Sequence, residues 1–258
     1  MGVQKINGIN IWVDSVGEGD PVVLIHGLTS SYHTMLGIAD WLKNEHQVIY
    51  YDCRGHGASE KPPYYTLDDH ADDLLAIMDF YGLERANVLG MSMGTYIAQA
   101  AAIKAPQRIK KLVLLVPKAH GKTSSIQRLL KEAGKDIGTV SAQELGAIML
   151  ANTFAPETPG EIKKKMLQAN SAATLTAEEK KAVDKALEGF DLRAGLPKIT
   201  APTLVCSGKY DGINPPEMGK EVAELIPNAR FELFEHSGHV LHIEEEPKYR
   251  RLVCEFLR

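Results

Sequence analysis

Apolar residues along this chain fall into two rhythms, and the order in which the rhythms alternate predicts an architecture. Continuous apolar runs of strand length, the kind buried on both faces of a sheet, occupy "PVVLIHG", "HQVIYYD", "ANVLG" and "IKKLVLLVP". Helical stretches lie between them. "TLDDHADDLLAIMDFYG" reads as an amphipathic helix opened by a capping box, Thr66 with Asp69, and closed by Gly82; "TYIAQAAAIKA" is helical by composition. Ahead of the first run, "NGINIWVDSVG" alternates apolar and polar positions and Asn7-Gly8 suits a two-residue hairpin turn, so two short antiparallel strands are expected there. From Pro21 to Pro117 the order is strand, linker, strand, helix, strand, helix, strand, which predicts a parallel, doubly wound sheet with right-handed crossovers.

The rhythm changes at Lys118. As far as about Lys198 it is helical only, punctuated by three capping boxes: Ser141 with Glu144, Thr158 with Pro159 and Glu161, and Thr176 with Glu179. The sheet resumes with "APTLVCSG", a helix "PPEMGKEVAELI", a strand "ARFELFE" and a closing helix "EEPKYRRLVCEFLR". The predicted fold is α/β: a doubly wound, mostly parallel sheet formed by residues 1–117 and 199–258, carrying a helical cap inserted at 118–198. No internal repeat or low-complexity tract interrupts it. The charge runs "IKKKMLQ" and "EEKKAVDKAL" suit exposed helix faces, and "LDDHADD" suits a solvated helix start favoured by the helix dipole rather than a metal site.

With 258 residues, 44% of them hydrophobic and 24% charged, the chain can bury one sizeable core. Its formal net charge of -4, from 29 basic and 33 acidic side chains, offers no single-sign field to hold nucleic acid or an anionic membrane. The N-terminus lacks the marks of a signal peptide, no apolar run approaches the ~18 residues of a spanning helix, and Ile6 stands where a myristoylation pattern wants Ser or Thr. Cys53, Cys206 and Cys254 are unclustered, which fits a reducing compartment. A cytoplasmic protein without metal or other cofactor is expected.

Ligands of an open parallel sheet bind beyond the carboxyl ends of its strands. His26-Gly27-Leu28, Asp52, Ser92, Pro117, Asp211 and His239 stand at such places. "GMSMG" around Ser92 fits G-x-S-x-G, a strained strand-to-helix turn that presents the serine, with Gly90 and Gly94 making room for it. Such a serine needs a base to take its proton and a third group to orient the base. Downstream, Asp211 lies in "GKYDGINPP" and His239 in "EHSGHVLHIEEEP"; Asp191 is a second candidate acid, while Glu232 and Glu235 decorate a strand. His236, His239 and His242 are three apart, as metal ligands can be, but the intervening Ser-Gly speaks against a helix and no carboxylate or thiol pattern joins them. Two backbone N–H groups, of Met93 after the serine and of Leu28 after His26-Gly27, are placed to receive an oxyanion. His26 is out of order for the base and braces its loop instead. Each feature has a plainer alternative: Ser92 as a helix cap, Asp211-Gly212 as a turn, "HGLTSS" as a polar loop.

Taken together, "VVLIHGL", "YDCRGHGAS", "VLGMSMG", "GKYDGINPP" and "HSGHVLHIEEEP", in this order, resemble the α/β-hydrolase superfamily over nearly the whole chain, its capped serine carboxylesterase and enol-lactonase-like members in particular. The resemblance implies Ser92 as nucleophile, His239 as general base and acid, Asp211 as the residue that orients the imidazole, and Leu28 and Met93 as the oxyanion hole. It makes Arg54, His56 and Ser59 loop organisers and gives the cap the task of selecting substrate. Serine at position 92 separates the chain from the aspartate-dependent dehalogenases and epoxide hydrolases that share this resemblance. The expected function is cleavage of a small carboxylic ester or lactone through an acyl-enzyme, with Met91 and Val240 lining an apolar substrate pocket. C–C hydrolysis or perhydrolysis by the same three residues, or ligand reception without turnover, are the alternatives.

Overall fold

Strands β1 (Gly2–Ile6) and β2 (Ile9–Val16) form the expected N-terminal hairpin, with Asn7 and Gly8 both in the left-handed region at φ 48° and 80°. The structure, a computed structural model, describes residues 2–136, 138–164 and 175–258. Beyond the hairpin come β3 (Asp20–Ile25), β4 (His46–Tyr51), β5 (Ala86–Met91), β6 (Ile109–Leu115), β7 (Thr203–Gly208) and β8 (Ala229–Phe234). They join in the order β1-β2-β4-β3-β5-β6-β7-β8, antiparallel from β1 to β4 and parallel thereafter.

Alternate residues of each central strand feed opposite cores, which is why these strands read as unbroken apolar runs. Val22 and Leu24 of β3 pack with Ile38 and Leu42 of α1 (Leu36–Leu42) and with Tyr249 and Val253 of a C-terminal helix, Glu246–Leu257. Val23 and Ile25 face the other way, toward Leu74 and Ile77 of α2 (Leu67–Phe80) and Ile97 and Ala101 of α3 (Met93–Lys104). Helix α1 lies in the stretch expected to be a linker; no side chain caps it, so the sequence carries no start signal there.

Between β6 and β7 the described residues hold α4 (Ser125–Glu132), α5 (Ala142–Ala151) and α6 (Ala177–Ala186), and residues 160–164 are helical too. Capping boxes at Ser141 and Thr176 open α5 and α6 as expected, and another at Thr66 opens α2. The Thr158 hydroxyl donates to the Glu244 carboxylate. Of "IKKKMLQ", only Ile162, Lys163 and Lys164 fall within the described residues. The two ends of this segment lie side by side, His120 pairing with Asp191 in an isolated bridge. Helices α7 (Pro216–Leu225), α8 (Leu241–Glu244) and α9 (Glu246–Leu257) complete the chain.

One expectation needs correction. Asp68 of "LDDHADD" is exposed and Asp72 half-buried, but His70 and Asp73 are buried on the inner face of α2. Asp73 takes a bidentate pair from Arg54 at 2.8 and 2.7 Å and a further bond from the Asn7 amide at 2.8 Å. A partner of opposite charge lets that carboxylate leave water, so this part of the motif is a buried tie. Among the described residues no helix is long and apolar enough to cross a membrane.

Candidate active site

β5 ends at Met91 and α3 begins at Met93, leaving Ser92 alone on the turn with φ 51° and ψ −115°. A non-glycine residue held there costs on the order of 1–3 kcal/mol, so its surroundings must impose it. The Ser92 N–H donates to the Leu115 carbonyl at 2.9 Å. A Cβ at Gly90 would overlap the Gly94 carbonyl, and one at Gly94 the carbonyl of Ile25, so the turn closes only with glycine at both places. The hydroxyl makes no bond to the helix start, which removes the helix-cap alternative. It meets His239 Nε2 at 3.0 Å instead.

His239 Nδ1 lies 2.8 Å from Asp211 Oδ2. An ionised carboxylate can only accept, so Nδ1 carries the ring proton and Nε2 is left to take one from Ser92. The other carboxylate oxygen of buried Asp211 accepts from the N–H groups of Ile213 and Asn214, each at 2.9 Å. Both loops are tied to the residues that follow α5. Gly212 N–H donates to the Asn152 carbonyl at 3.0 Å, and His239 N–H to that of Thr153 at 2.7 Å. Glu244 clamps the same place, accepting from Gly238 N–H at 2.7 Å and from Ala155 N–H at 2.8 Å.

A Cβ at Gly27 would stand 3.5 Å from the Ser92 Cβ, so the His26-Gly27-Leu28 loop passes directly beside the serine. Met93 is the first residue of α3, where an N–H has no acceptor within the helix. His26 braces its loop: Cys53 N–H donates to Nε2 at 2.9 Å and Nδ1 donates to the Gly27 carbonyl at 2.7 Å. Burial pushes its pKa down to about 4, so the ring stays neutral. His56, pushed by burial to about 3, bonds the Arg54 carbonyl at 3.0 Å, and Ser59 Oγ donates to the Asp52 carbonyl at 2.6 Å. These residues organise a loop, as expected.

The remaining candidates lie apart from this set. Asp191 pairs with Arg193 at 2.8 and 2.5 Å, which holds its carboxyl well below the usual range. Glu232 stands 3.2 Å from Arg230, and Glu235 2.8 Å from Lys209. His236 is exposed, 3.7 Å from Glu157. His242 is half-buried near Tyr249, its pKa pushed down by desolvation to about 4. Met91 packs against the α1 side of the sheet, and Val240 is buried next to His239. Among the described residues no group of three or more His, Cys, Asp or Glu could hold a metal ion.

The family model for the alpha/beta hydrolase fold matches residues 20–246. The chain belongs to the α/β-hydrolase family. A proline iminopeptidase of Heyndrickxia coagulans is 27% identical to it over 95% of this chain and 92% of its own. The crystal structure of the enol-lactonase from Burkholderia xenovorans LB400 matches with a TM-score of 0.85 at 28% identity, over 99% of both chains. The esterase EaEST from Exiguobacterium antarcticum matches at 0.83 and 26% identity, over 100% of both. The named activities differ, so they support a hydrolase without choosing the bond it cleaves.

Three residues near the site of this α/β-hydrolase escaped the sequence reading. Tyr96 stands one helical turn after Ser92, a spacing that brings the two side chains together and was available as a signal. Asn214, buried, sits three residues past Asp211. Lys118, just past β6, is 6% exposed, with Nζ 3.3 Å from Ser125 Oγ and over the rings of Tyr96 and Phe190 at 5.5 and 5.9 Å. Burial, and then the charge of Arg128, push its pKa from 10.5 down to about 8. Between those values unfolding takes up a proton, so stability rises with pH across that window. Below about pH 8 the folded state carries the whole penalty, roughly 3 kcal/mol. Lys118→Met is therefore expected to gain up to about that much stability at neutral pH and to lose the slope. Urea unfolding of both proteins at pH 7 and 9.5 measures it.

Proposed function

We propose that this hydrolase cleaves small carboxylic esters or lactones through an acyl-enzyme on Ser92. The observation that carries the reading is the pair of bonds on His239: Nε2 to Ser92 Oγ at 3.0 Å and Nδ1 to buried Asp211 at 2.8 Å. As Ser92 attacks the carbonyl carbon, its proton passes to Nε2. The carbonyl oxygen gathers charge toward the N–H groups of Met93 and Leu28, with the N-terminus of α3 behind it. His239 then hands the proton to the departing alkoxide, and a water repeats the cycle to release the acid. Asp211 remains ionised throughout and steadies the imidazolium.

In this reading residues 118–198 act as a cap that selects substrate. Ala182, Val183 and Ala186 of α6 form an apolar cluster with Tyr65, against which Leu28 packs, so the segment rests on the oxyanion loop. Met91 and Val240 add apolar surface beside the nucleophile and base. End-to-end likeness to an esterase and an enol-lactonase supports an oxygen leaving group. The test compares p-nitrophenyl acetate and butyrate, a simple γ-lactone and proline p-nitroanilide, with wild type and Ser92→Ala, in a chelator. Ester or lactone turnover lost in the variant is expected. Turnover of the anilide alone would overturn the leaving group, and an unaffected Ser92→Ala rate would overturn the nucleophile.

A further inference from the structure

We infer that Glu244 is a positioning residue for His239, its carboxylate holding the base loop and the segment after α5 in one register and so setting the line from the imidazole to Ser92. The inference rests on His239 being the base of the proposed reaction. His239 stands on a loop with no strand ladder to fix it, between the end of β8 at Phe234 and the start of α8 at Leu241. Gly238, the residue before it, is buried, so its N–H must find an acceptor inside the protein. Glu244 Oε2 is that acceptor, at 2.7 Å. The chain reaches it by folding back, since the N–H groups of Ile243 and Glu244 donate to the Val240 carbonyl at 2.8 and 3.2 Å. Residues 238 to 244 thus close into a ring of chain that contains His239.

The other oxygen serves the segment after α5. Glu244 Oε1 accepts from the Ala155 N–H at 2.8 Å and from the Thr158 hydroxyl. Ala155 is 1% exposed, so its N–H is shut off from bulk water. Thr158, expected from the sequence to cap a helix, gives its hydroxyl proton to this carboxylate. Three donors from two segments therefore converge on two oxygens, a load that a carboxylate takes and an amide cannot. Glu245 adds a second strap, its Oε2 accepting from the His236 N–H at 3.0 Å and from Ser237 Oγ at 2.6 Å. With the His239 N–H on the Thr153 carbonyl, the backbone donors at 236, 238 and 239 are each held. A Cβ at Gly238 would stand 2.4 Å from that same carbonyl, so the loop is pressed on the segment as well as bonded to it.

The consequence for the reaction is geometric. His239 meets Ser92 at 3.0 Å and Asp211 at 2.8 Å from this backbone position, and its ring, with two torsions to turn, follows the loop wherever the loop goes. Glu244→Gln is the sharpest change, because it keeps the volume and replaces one acceptor by a donor. An amide that turns its oxygen to the Ala155 side keeps two of the three bonds and sets its NH₂ against the Gly238 N–H. The base loop is then what comes loose.

The test is the rate constant and the final extent of covalent capture of Ser92 by an alkyl fluorophosphonate, with kcat and KM on p-nitrophenyl butyrate beside them. Glu244→Gln is expected to be captured to full extent but about ten- to hundredfold more slowly, and to lose kcat likewise with KM nearly unchanged. A merely structural role would lower the extent, through unfolded protein, and leave the rate constant of the folded fraction alone. Glu244→Ala, which lets water into the half-buried place of the carboxylate, is expected to show the same slow capture. Thr158→Val removes the third donor and keeps Gly238 bonded, so its rate is expected to stay close to wild type. A wild-type rate constant in Glu244→Gln or Glu244→Ala, a loss confined to the extent, or a loss in Thr158→Val equal to that in Glu244→Gln would each overturn the role of Glu244 and leave the ester reading standing. Absence of capture in the wild type would overturn both.

Discussion

His239→Ala is expected to lower kcat/KM for an aryl ester by about 10⁴ to 10⁶, while His236→Ala stays close to wild type. The two histidines are three residues apart in one loop and share a side-chain type, so the contrast isolates position. His239 is held from three sides: Ser92 at Nε2, Asp211 at Nδ1, and the Thr153 carbonyl on its backbone N–H. His236 points into solvent with a single distant carboxylate. Steady-state kinetics on the two variants decides the assignment, and a large loss in His236→Ala alone would reverse it.

Asp211→Asn is expected to cost about 10⁴ in kcat although it changes hardly any volume. The N–H groups of Ile213 and Asn214 would keep the amide oxygen, which leaves the NH₂ facing His239 Nδ1. A donor there forces Nδ1 to accept and moves the ring proton to Nε2, where it confronts the Ser92 hydroxyl with a donor in place of a base. Asp191→Asn, which loses an ion pair to Arg193 on the surface, should leave kcat nearly intact. Parallel kcat measurements separate the two acids; a severe loss in Asp191→Asn with a mild one in Asp211→Asn would exchange their roles.

What was legible in the sequence follows from where physical demands are local. β3 was readable because Val22 to Ile25 are buried on alternating faces and leave no polar interruption. Ser92 was readable because its turn needs Gly90 and Gly94 within two residues of it. Asp211 and His239 each follow a strand run by a short glycine-bearing loop. The rest depended on partners distant in the chain. Asp73 looked solvated because Arg54, 19 residues earlier, is not visible as its partner until the fold brings them together. Lys118 looked like the polar start of a helical segment, since burial under Phe190 is a tertiary fact. Asn214 looked like a loop residue, because the direction of an amide is settled only by the carbonyl opposite it.

The two carbonyls just past α5, of Asn152 and Thr153, hold the acid and histidine loops by their backbone N–H groups. The region expected to choose the substrate therefore also carries part of the frame that aligns the reacting groups. In the proposed reading, specificity and rate are coupled through those two peptides. A chimera that exchanged the whole stretch from 118 to 198 for a relative's would alter both at once; a graft meant to change selectivity alone has to keep residues 152–155 of this chain. Natural sequence drift in the segment meets the same boundary at that short tether, and meets others where Arg128 and Ser125 bond the acid loop and Thr158 bonds Glu244.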